Sequence, residues 1–268
     1  ADFDMLKAPL DPEERARIDA EDNTSLILVD IPTIEMEGKD FVYSTIPLGI
    51  LTTENHLITV CLKDSHIMRD FAQNHVKGFF TYKKTRFILQ ILYRNASRYL
   101  QYLRQIDKKT NAIETELQRT LRNQELMQLM RLEKSLVFFA TSLKSNEIVL
   151  EKLLRSDLIR RFPDDEDLLE DVIIENKQAI EMCAIYRDIL SSTMDAFSSV
   201  ISNNVNDIMK VLTSLTLVLS IPTLIASIWG MNVKVPFEGD SVGFWILLGA
   251  SLLASIISIV ILSKRRML

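Results

Sequence analysis

Val211–Trp229 reads VLTSLTLVLSIPTLIASIW, and Ser241–Ser263 reads SVGFWILLGASLLASIISIVILS; neither run contains a charged residue. As helices, both are long enough to cross about 30 Å of hydrocarbon. Two adjacent runs of this kind in a soluble domain would leave apolar surface that nothing covers, so the reading is two transmembrane helices. Between them lies GMNVKVPFEGD, Gly230 to Asp240. A glycine and an amide at the end of a span are an unusual choice, and they raise the question of what meets the protein there.

Charge decides the orientation. Lys210 precedes the first span and Lys264, Arg265 and Arg266 follow the second, whereas the connecting loop has Lys234 opposed by Glu238 and Asp240. The excess of basic residues at both outer flanks places both termini in the cytoplasm and the loop outside. Trp229 and Trp245 flank that loop, where indole rings favour the headgroup level.

Polar residues in and before the first span recur at steps of three and four: Asn206, Met209, Thr213, Thr216, Ser220, Thr223 and Ser227 mark one helical face. Such a stripe is either a packing seam of small residues or the wall of a water-filled path. A two-span subunit cannot enclose a path alone, so the second reading requires several copies around an axis. Pro222 removes one backbone bond within the span, which membrane helices tolerate when neighbouring groups take up the freed carbonyl.

The whole chain has 268 residues, 25% of them charged, and a net charge of -5; outside the two uncharged runs it is soluble in character. SLILVDI, FVYSTI, GILTT and HLITVCL, starting at Ser25, Phe41, Gly49 and His56, predict a small sheet, with Pro32, Gly38 and Asn55 as turn formers between them. From Ser65 the pattern is helical, and no Pro or Gly interrupts it between Thr85 and Pro163. That length predicts a long helical hairpin, whose core positions are Leu129, Leu132, Leu136, Phe139, Leu143 and Leu150 at heptad-compatible spacing. Pro163 followed by DDEDLLED is a helix start. Leu190, Met194, Phe197, Ile201, Val205, Ile208 and Leu212 keep helical spacing into the first span, which predicts one continuous stalk helix.

The expected organisation is therefore an α+β membrane protein. An α/β cytoplasmic domain fills 1–84, a helical hairpin 85–162 and a stalk helix 163–210. The first span follows at 211–229, then an outer loop at 230–240, the second span at 241–263 and a basic cytoplasmic tail at 264–268. The chain opens at Ala1 without Met or a signal segment, so further residues are expected before it.

Catalytic templates are missing. The sequence contains no Gly-rich phosphate loop, HExxH or GxSxG motif, and His56, His66 and His75 lack partners at ligand spacing. Cys61 and Cys183 stand far apart, which excludes a thiolate zinc site or a disulfide framework and reads as two buried small residues. Basic residues are not clustered into a nucleic-acid face and the chain is acidic overall, so nucleic acid is not an expected partner. The expectation is a protein that is not an enzyme. The acidic run Asp164, Asp165, Glu166, Asp167, Glu170 and Asp171 has two readings, a solvated helix start or carboxylates that hold divalent cations between subunits. At the outer end, Asn232 offers a neutral amide oxygen, and Gly230 lets the backbone turn so that carbonyl oxygens point inward. Such a mouth suits a hydrated Mg2+ better than a tight carboxylate cage.

GMN closing the first of two C-terminal spans, a short outer loop, a second span and a basic tail together resemble the CorA family of magnesium transporters. The resemblance is strongest from Asp171 to Leu268, through DVIIENKQAIEMCAIYRDIL, SNNVNDIMKVLT and IWGMN, and continues less specifically in DPEERAR and STIPLGILTTENHLITV. Trp229 in place of tyrosine, Ser220 in place of a bulkier Met and a loop without the acidic MPEL-like pattern depart from many members.

The resemblance implies a homopentameric channel in the inner (plasma) membrane that admits Mg2+ passively along the membrane potential. Co2+, Ni2+ and Zn2+ are further candidate cations, and a zinc transporter coupled to protons is the alternative. Carried over by position, Gly230, Met231 and Asn232 form the outer selectivity ring, and Asn206, Met209, Leu212, Thr213, Thr216, Ser220 and Thr223 line the pore. Asp171 holds regulatory Mg2+ between subunits and Asp195 stands near the inner mouth. Asp64, Asp70 and a residue before Ala1 are equal candidates for the partner of Asp171.

Overall fold

The computed structural model describes residues 3–21, 24–37, 40–120, 123–155, 162–231 and 241–265. The chain divides into two compact units, Ala1–Met194 and Asp195–Leu268.

The first unit begins with a short helix, α1 (Phe3–Lys7), and a 3-10 turn (Ala8–Leu10). Four strands follow, β1 (Arg17–Glu21), β2 (Thr24–Glu37), β3 (Asp40–Thr52) and β4 (Leu57–Cys61), paired in sequence order as an antiparallel meander. Helix α2 (His66–Ala72) starts at Ser65, whose side chain accepts a hydrogen bond from the Ile67 N–H, a conventional N-cap. Two long helices, α3 (Lys84–Thr120) and α4 (Asn123–Arg155), form the expected hairpin. The heptad positions named above are all buried.

Alternation assigns the two faces of the sheet. Ile27, Val29 and Ile31 on β2 and Ile46, Leu48 and Ile50 on β3 join Ile88 and Leu92 of α3 and Val149 and Leu153 of α4 in the main core. On the other face, Leu26 and Leu51 meet Met5 of α1. Both faces are covered here, which is why LILV reads as an unbroken apolar run rather than an alternating one.

The strands differ from the sequence expectation in three places. FVYSTI and GILTT belong to one strand, because β3 continues through Pro47, and β2 continues through Pro32, which is no turn. The register pairs Asp30 with Pro47 and Pro32 with Thr45. Backbone groups of Asp30 and Pro47 bond side chains away from the β2–β3 ladder, to Asn146 and Cys61 respectively. These are positions where the missing proline N–H breaks no ladder bond, since β1 and β4 do not reach Pro32 or Pro47. The third difference is β1, RIDAE, a half-exposed edge strand with three charged residues and no apolar run to announce it. Asn55 does lie in a turn, closed by the Thr53 N–H on the His56 carbonyl at 2.9 Å.

Helix α5 (Pro163–Trp229) begins as expected with proline in its first turn, and the Phe162 carbonyl accepts the N–H groups of Asp165 and Glu166. In the first unit it buries Leu169, Val172, Ala179, Cys183 and Leu190. Asn176 donates to the Leu143 carbonyl at 3.3 Å and the Cys183 thiol to the Leu136 carbonyl at 3.3 Å, fastening α5 to α4. Burial pushes the Cys183 thiol up to about 12, so it stays protonated and unreactive. Cys61 differs from expectation in being only half-buried. Helix α6 (Ser241–Lys264) completes the second unit.

Candidate functional site

Two helices are long and apolar enough to cross a membrane, α5 through its C-terminal part and α6 over Val242–Lys264. Only 6% of each apolar window is buried, the opposite of a core helix. Such a surface needs lipid or other chains to cover it.

Within the second unit the residues withdrawn from the surface mark one face per helix. Along Val211–Trp229 of α5 they are Ser214, Val218, Ile221, Pro222, Ile225 and Trp229; on α6 they are Gly243, Leu247, Ser251, Ala254, Ser255, Ser258 and Leu262. Small residues on α6 opposite branched ones on α5 are what a close helical hairpin requires. The polar stripe lies elsewhere. Asn206, Met209, Leu212, Thr213, Thr216, Ser220 and Thr223 are all exposed, so the stripe is not the seam between the two helices of one chain.

Two hydroxyls of the stripe are turned back on their own helix: Thr216 donates to the Leu212 carbonyl at 2.8 Å and Thr223 to the Leu219 carbonyl at 2.9 Å. Each keeps its oxygen lone pairs as outward acceptors. Below them Asn203, Asn206, Asp207, Met209, Lys210 and Thr213 line a shallow open depression, with Lys210 paired to Asp207 at 2.9 Å. At the other end, the Gly230 N–H bonds the Ala226 carbonyl at 2.9 Å, so Gly230 still closes the last helical turn. A Cβ there would stand 3.2 Å from that carbonyl oxygen, tighter than ordinary contact. The glycine thus makes room at the helix end and does not itself reverse the chain; Met231 beyond it is exposed. Asn232 and the remainder of the outer loop lie outside the described residues.

A family model of CorA-like Mg2+ transporter proteins matches residues 2–265. The chain belongs to the CorA family. The cobalt/magnesium transport protein CorA of Methanocaldococcus jannaschii is 28% identical over 97% of this chain and 82% of its own length. The protein of the same name from Thermotoga maritima is 29% identical over 63% of this chain and 49% of its own length. Among solved structures, the complete CorA magnesium transporter from M. jannaschii superposes with a TM-score of 0.81 at 26% identity, over 97% of this chain and 82% of that one. The two apolar C-terminal helices of this CorA-family chain are accordingly membrane helices.

The acidic residues singled out in this CorA-family sequence are not gathered into one centre. Among the described residues no group of three or more His, Cys, Asp or Glu side chains is placed to hold a metal ion. Asp171 and Asp195 are exposed on α5, in the first and the second unit respectively. Asp64 is ion-paired with Arg69, and Asp70 with Arg94 and Arg98 at 3.2 Å each. Two of the three candidate partners of Asp171 thus already have ion-pair partners within the chain. Along the acidic run Asp164, Glu166, Asp167 and Glu170 are solvated, while Asp165 is buried beside Arg86 at 3.4 Å.

Sequence reasoning missed a polar seam that joins sheet and helices. The Asp30 carbonyl accepts hydrogen bonds from the side chains of Asn95 (2.8 Å), Asn146 (2.8 Å) and Tyr99 (3.2 Å). Burial raises the Asp30 carboxyl to about 6, opposed by a hydrogen bond with Ser142, which also contacts Thr45 at 2.9 Å. The one sequence signal was an acidic residue inside the apolar run SLILVDI.

Proposed function

We propose that this chain is one subunit of an oligomeric Mg2+ channel, with Co2+ as a second permeant ion. The observation that carries the reading is the exposed polar stripe of α5, which ends at Gly230 and Met231 and lies off the hairpin seam. The CorA-family relatives named for cobalt and magnesium transport support the choice of ion. A stripe of hydroxyl, amide and thioether groups has no use facing lipid, and five copies around an axis turn it into a pore wall.

Asn232, with Gly230 and Met231, forms the outer mouth, where neutral oxygens hydrogen-bond the hydration shell of an ion that gives up water reluctantly. Met209 and Leu212 form the narrow apolar section at the cytoplasmic end, which closes by dewetting. With both termini in the cytoplasm, an inside-negative plasma membrane drives influx without ATP, at about 4.6 kcal/mol for two charges across 100 mV. Exposed Asp171 and Asp195 bind Mg2+ between neighbouring subunits when its cytoplasmic concentration is high. Loss of that ion restores carboxylate repulsion and loosens the closed ring.

Purified protein in liposomes under an inside-negative potential tests this reading. Mg2+ should enter, and Asn232→Ala should abolish entry while the oligomer remains assembled. Zn2+ entry that follows an imposed pH gradient instead would replace the channel by a proton-coupled transporter. Absence of any flux from assembled protein would leave a membrane-anchored scaffold.

A further inference from the structure

Two long helix faces of the first unit have nothing packed on them. On α5, Asp167, Glu170, Ile174, Glu181, Ile185 and Ile189 are exposed at helical steps, on the side away from the buried Val172, Ala179 and Cys183. On α4, Met130, Lys134, Phe138, Ile148 and Lys152 are exposed along one side in the same way. Ile174 and Ile185 are each 55% exposed and Met130 is 50% exposed. Apolar side chains repeated along one line of a helix, with charges between them, make a contact surface rather than a scatter of single residues.

The charges between them have opposite signs on the two helices, carboxylates on α5 and ammonium groups on α4. Among the described residues Lys134, Lys152, Asp167, Glu170 and Glu181 make no ion pair within the chain. By contrast Lys144 and Arg155 of α4 and Asp188 of α5 are each paired on their own helix. Lys177, an exposed cation of α5, lines a small cavity with Glu147 and Glu151 of its own α4, so it leaves the outward face acidic.

The levels of these charges match as well as their signs. Asn176 is bonded to the Leu143 carbonyl and Cys183 to the Leu136 carbonyl, seven positions apart on each helix in opposite directions, which fixes the antiparallel alignment of α5 on α4. On that alignment Asp167 stands level with Lys152, Glu181 with Phe138 one turn from Lys134, and Ile189 with Met130. Within one chain these side chains point outward from both helices and stay exposed. In a ring whose axis runs along α5, every residue keeps its level from copy to copy, so the match carries over to the neighbour.

We propose that the outward face of α5 in one copy docks on the outward face of α4 in the next, head to tail around the ring, with Asp167 on Lys152, Glu181 on Lys134 and Ile189 on Met130. The occupant of each face is thus a second copy of this chain, chosen by opposite charge. Pairing of α5 with α5 would set carboxylate against carboxylate, so the same charges work against that arrangement. The inference deepens the oligomer of the channel reading and rests on it.

Light scattering of the detergent-solubilised full chain separates the two. A monomer removes the oligomer and this contact with it; an assembled parent leaves the contact to be tested alone. Ile189→Cys with Met130→Cys, in a Cys61→Ser background, should then give a ladder of covalent multimers on mild oxidation. Ile189→Cys with Ile148→Cys, about 27 Å off level along α4, should give none, and neither should Ile189→Cys alone. Lys134→Glu and Glu181→Lys should each raise the concentration of half-dissociation about tenfold, and the two together should recover most of that loss. Thermal midpoints equal to the parent's show that the variants fold. A ladder from Ile189→Cys alone would mean that α5 meets α5, which overturns the proposal. So do equal ladders from both cysteine pairs, no ladder from the assembled Ile189→Cys, Met130→Cys protein, or charge reversals that have no effect or simply add.

Discussion

Asn146 on α4 makes with Asp30 on β2 the two hydrogen bonds that a neighbouring strand would make: its Oδ1 accepts the Asp30 N–H at 2.9 Å and its Nδ2 donates to the Asp30 carbonyl at 2.8 Å. The pairing of β2 with β1 ends at Leu28, opposite Arg17, so a helix side chain takes up the sheet pairing where that strand ends. Asn146→Ala strands the Asp30 N–H, whereas the carbonyl keeps Asn95 and Tyr99. The expected loss is about 2–3 kcal/mol of stability of the first unit, read as a lower urea midpoint by circular dichroism. An unchanged midpoint would show that water replaces the amide at no cost.

The same strand position makes stability depend on pH. Burial, opposed in part by the Ser142 hydrogen bond, raises the Asp30 carboxyl from 3.8 to about 6 in the folded chain. Below the unfolded value both states carry the proton and no penalty applies. As pH rises towards 6 the unfolded chain ionises first, so stability falls, by about 3 kcal/mol in all, and above 6 this contribution is constant. Unfolding at pH 5 should therefore need more urea than at pH 7, by roughly 1.4 kcal/mol per pH unit below 6. Asp30→Asn should remove that slope and exceed the parent's stability at pH 7. A parent with no slope between pH 5 and 7 would contradict the buried carboxyl.

These two residues also show what a sequence displays and what it hides. Periodicity exposes elements that bury one face at a constant step, and Leu129 to Leu150 on α4 and the two uncharged runs are of that kind. Asn146 reads as one more polar residue on a helix, because its role depends on a strand 116 positions away in the chain. Likewise β1 carries no signal, since a half-exposed edge strand needs no apolar run. Pro32 reads as a turn former, and FVYSTI and GILTT read as two runs on either side of Pro47, because proline removes a donor; only the register shows that neither donor is needed. For the candidate site, the spacing of the stripe was legible. Which face α6 covers was not, since small residues serve packing and polar paths alike.

Gly49 is required by a close approach. A Cβ on it would lie 2.2 Å from Cγ and 2.9 Å from Cβ of Pro9, in the turn that follows α1. Gly49→Ala should lift that turn off the sheet, expose Met5 over Leu26 and Leu51, and cost about 1–3 kcal/mol. Limited proteolysis should then cut near Pro9 faster than in the parent. Pro9→Ala in the Gly49→Ala background should recover part of the loss, because it removes the clashing Cγ. Additive effects of the two changes would place the cost elsewhere.

The two faces of α5 in the membrane predict opposite consequences for the same chemical change. Ser214 has no exposed surface, whereas Ser220 is exposed on the stripe. Ser214→Leu forces a larger side chain into the seam with α6, and should lower the thermal midpoint and the yield of assembled protein. Ser220→Leu has room in the isolated chain, so folding and assembly should match the parent. In an oligomer built on the stripe, however, it places an apolar ring across the path and should remove most Mg2+ flux by dewetting. Size-exclusion profiles and liposome uptake measured on both variants separate the outcomes. Parent-like flux through an assembled Ser220→Leu protein would take the stripe out of the pore and leave it as the contact between subunits.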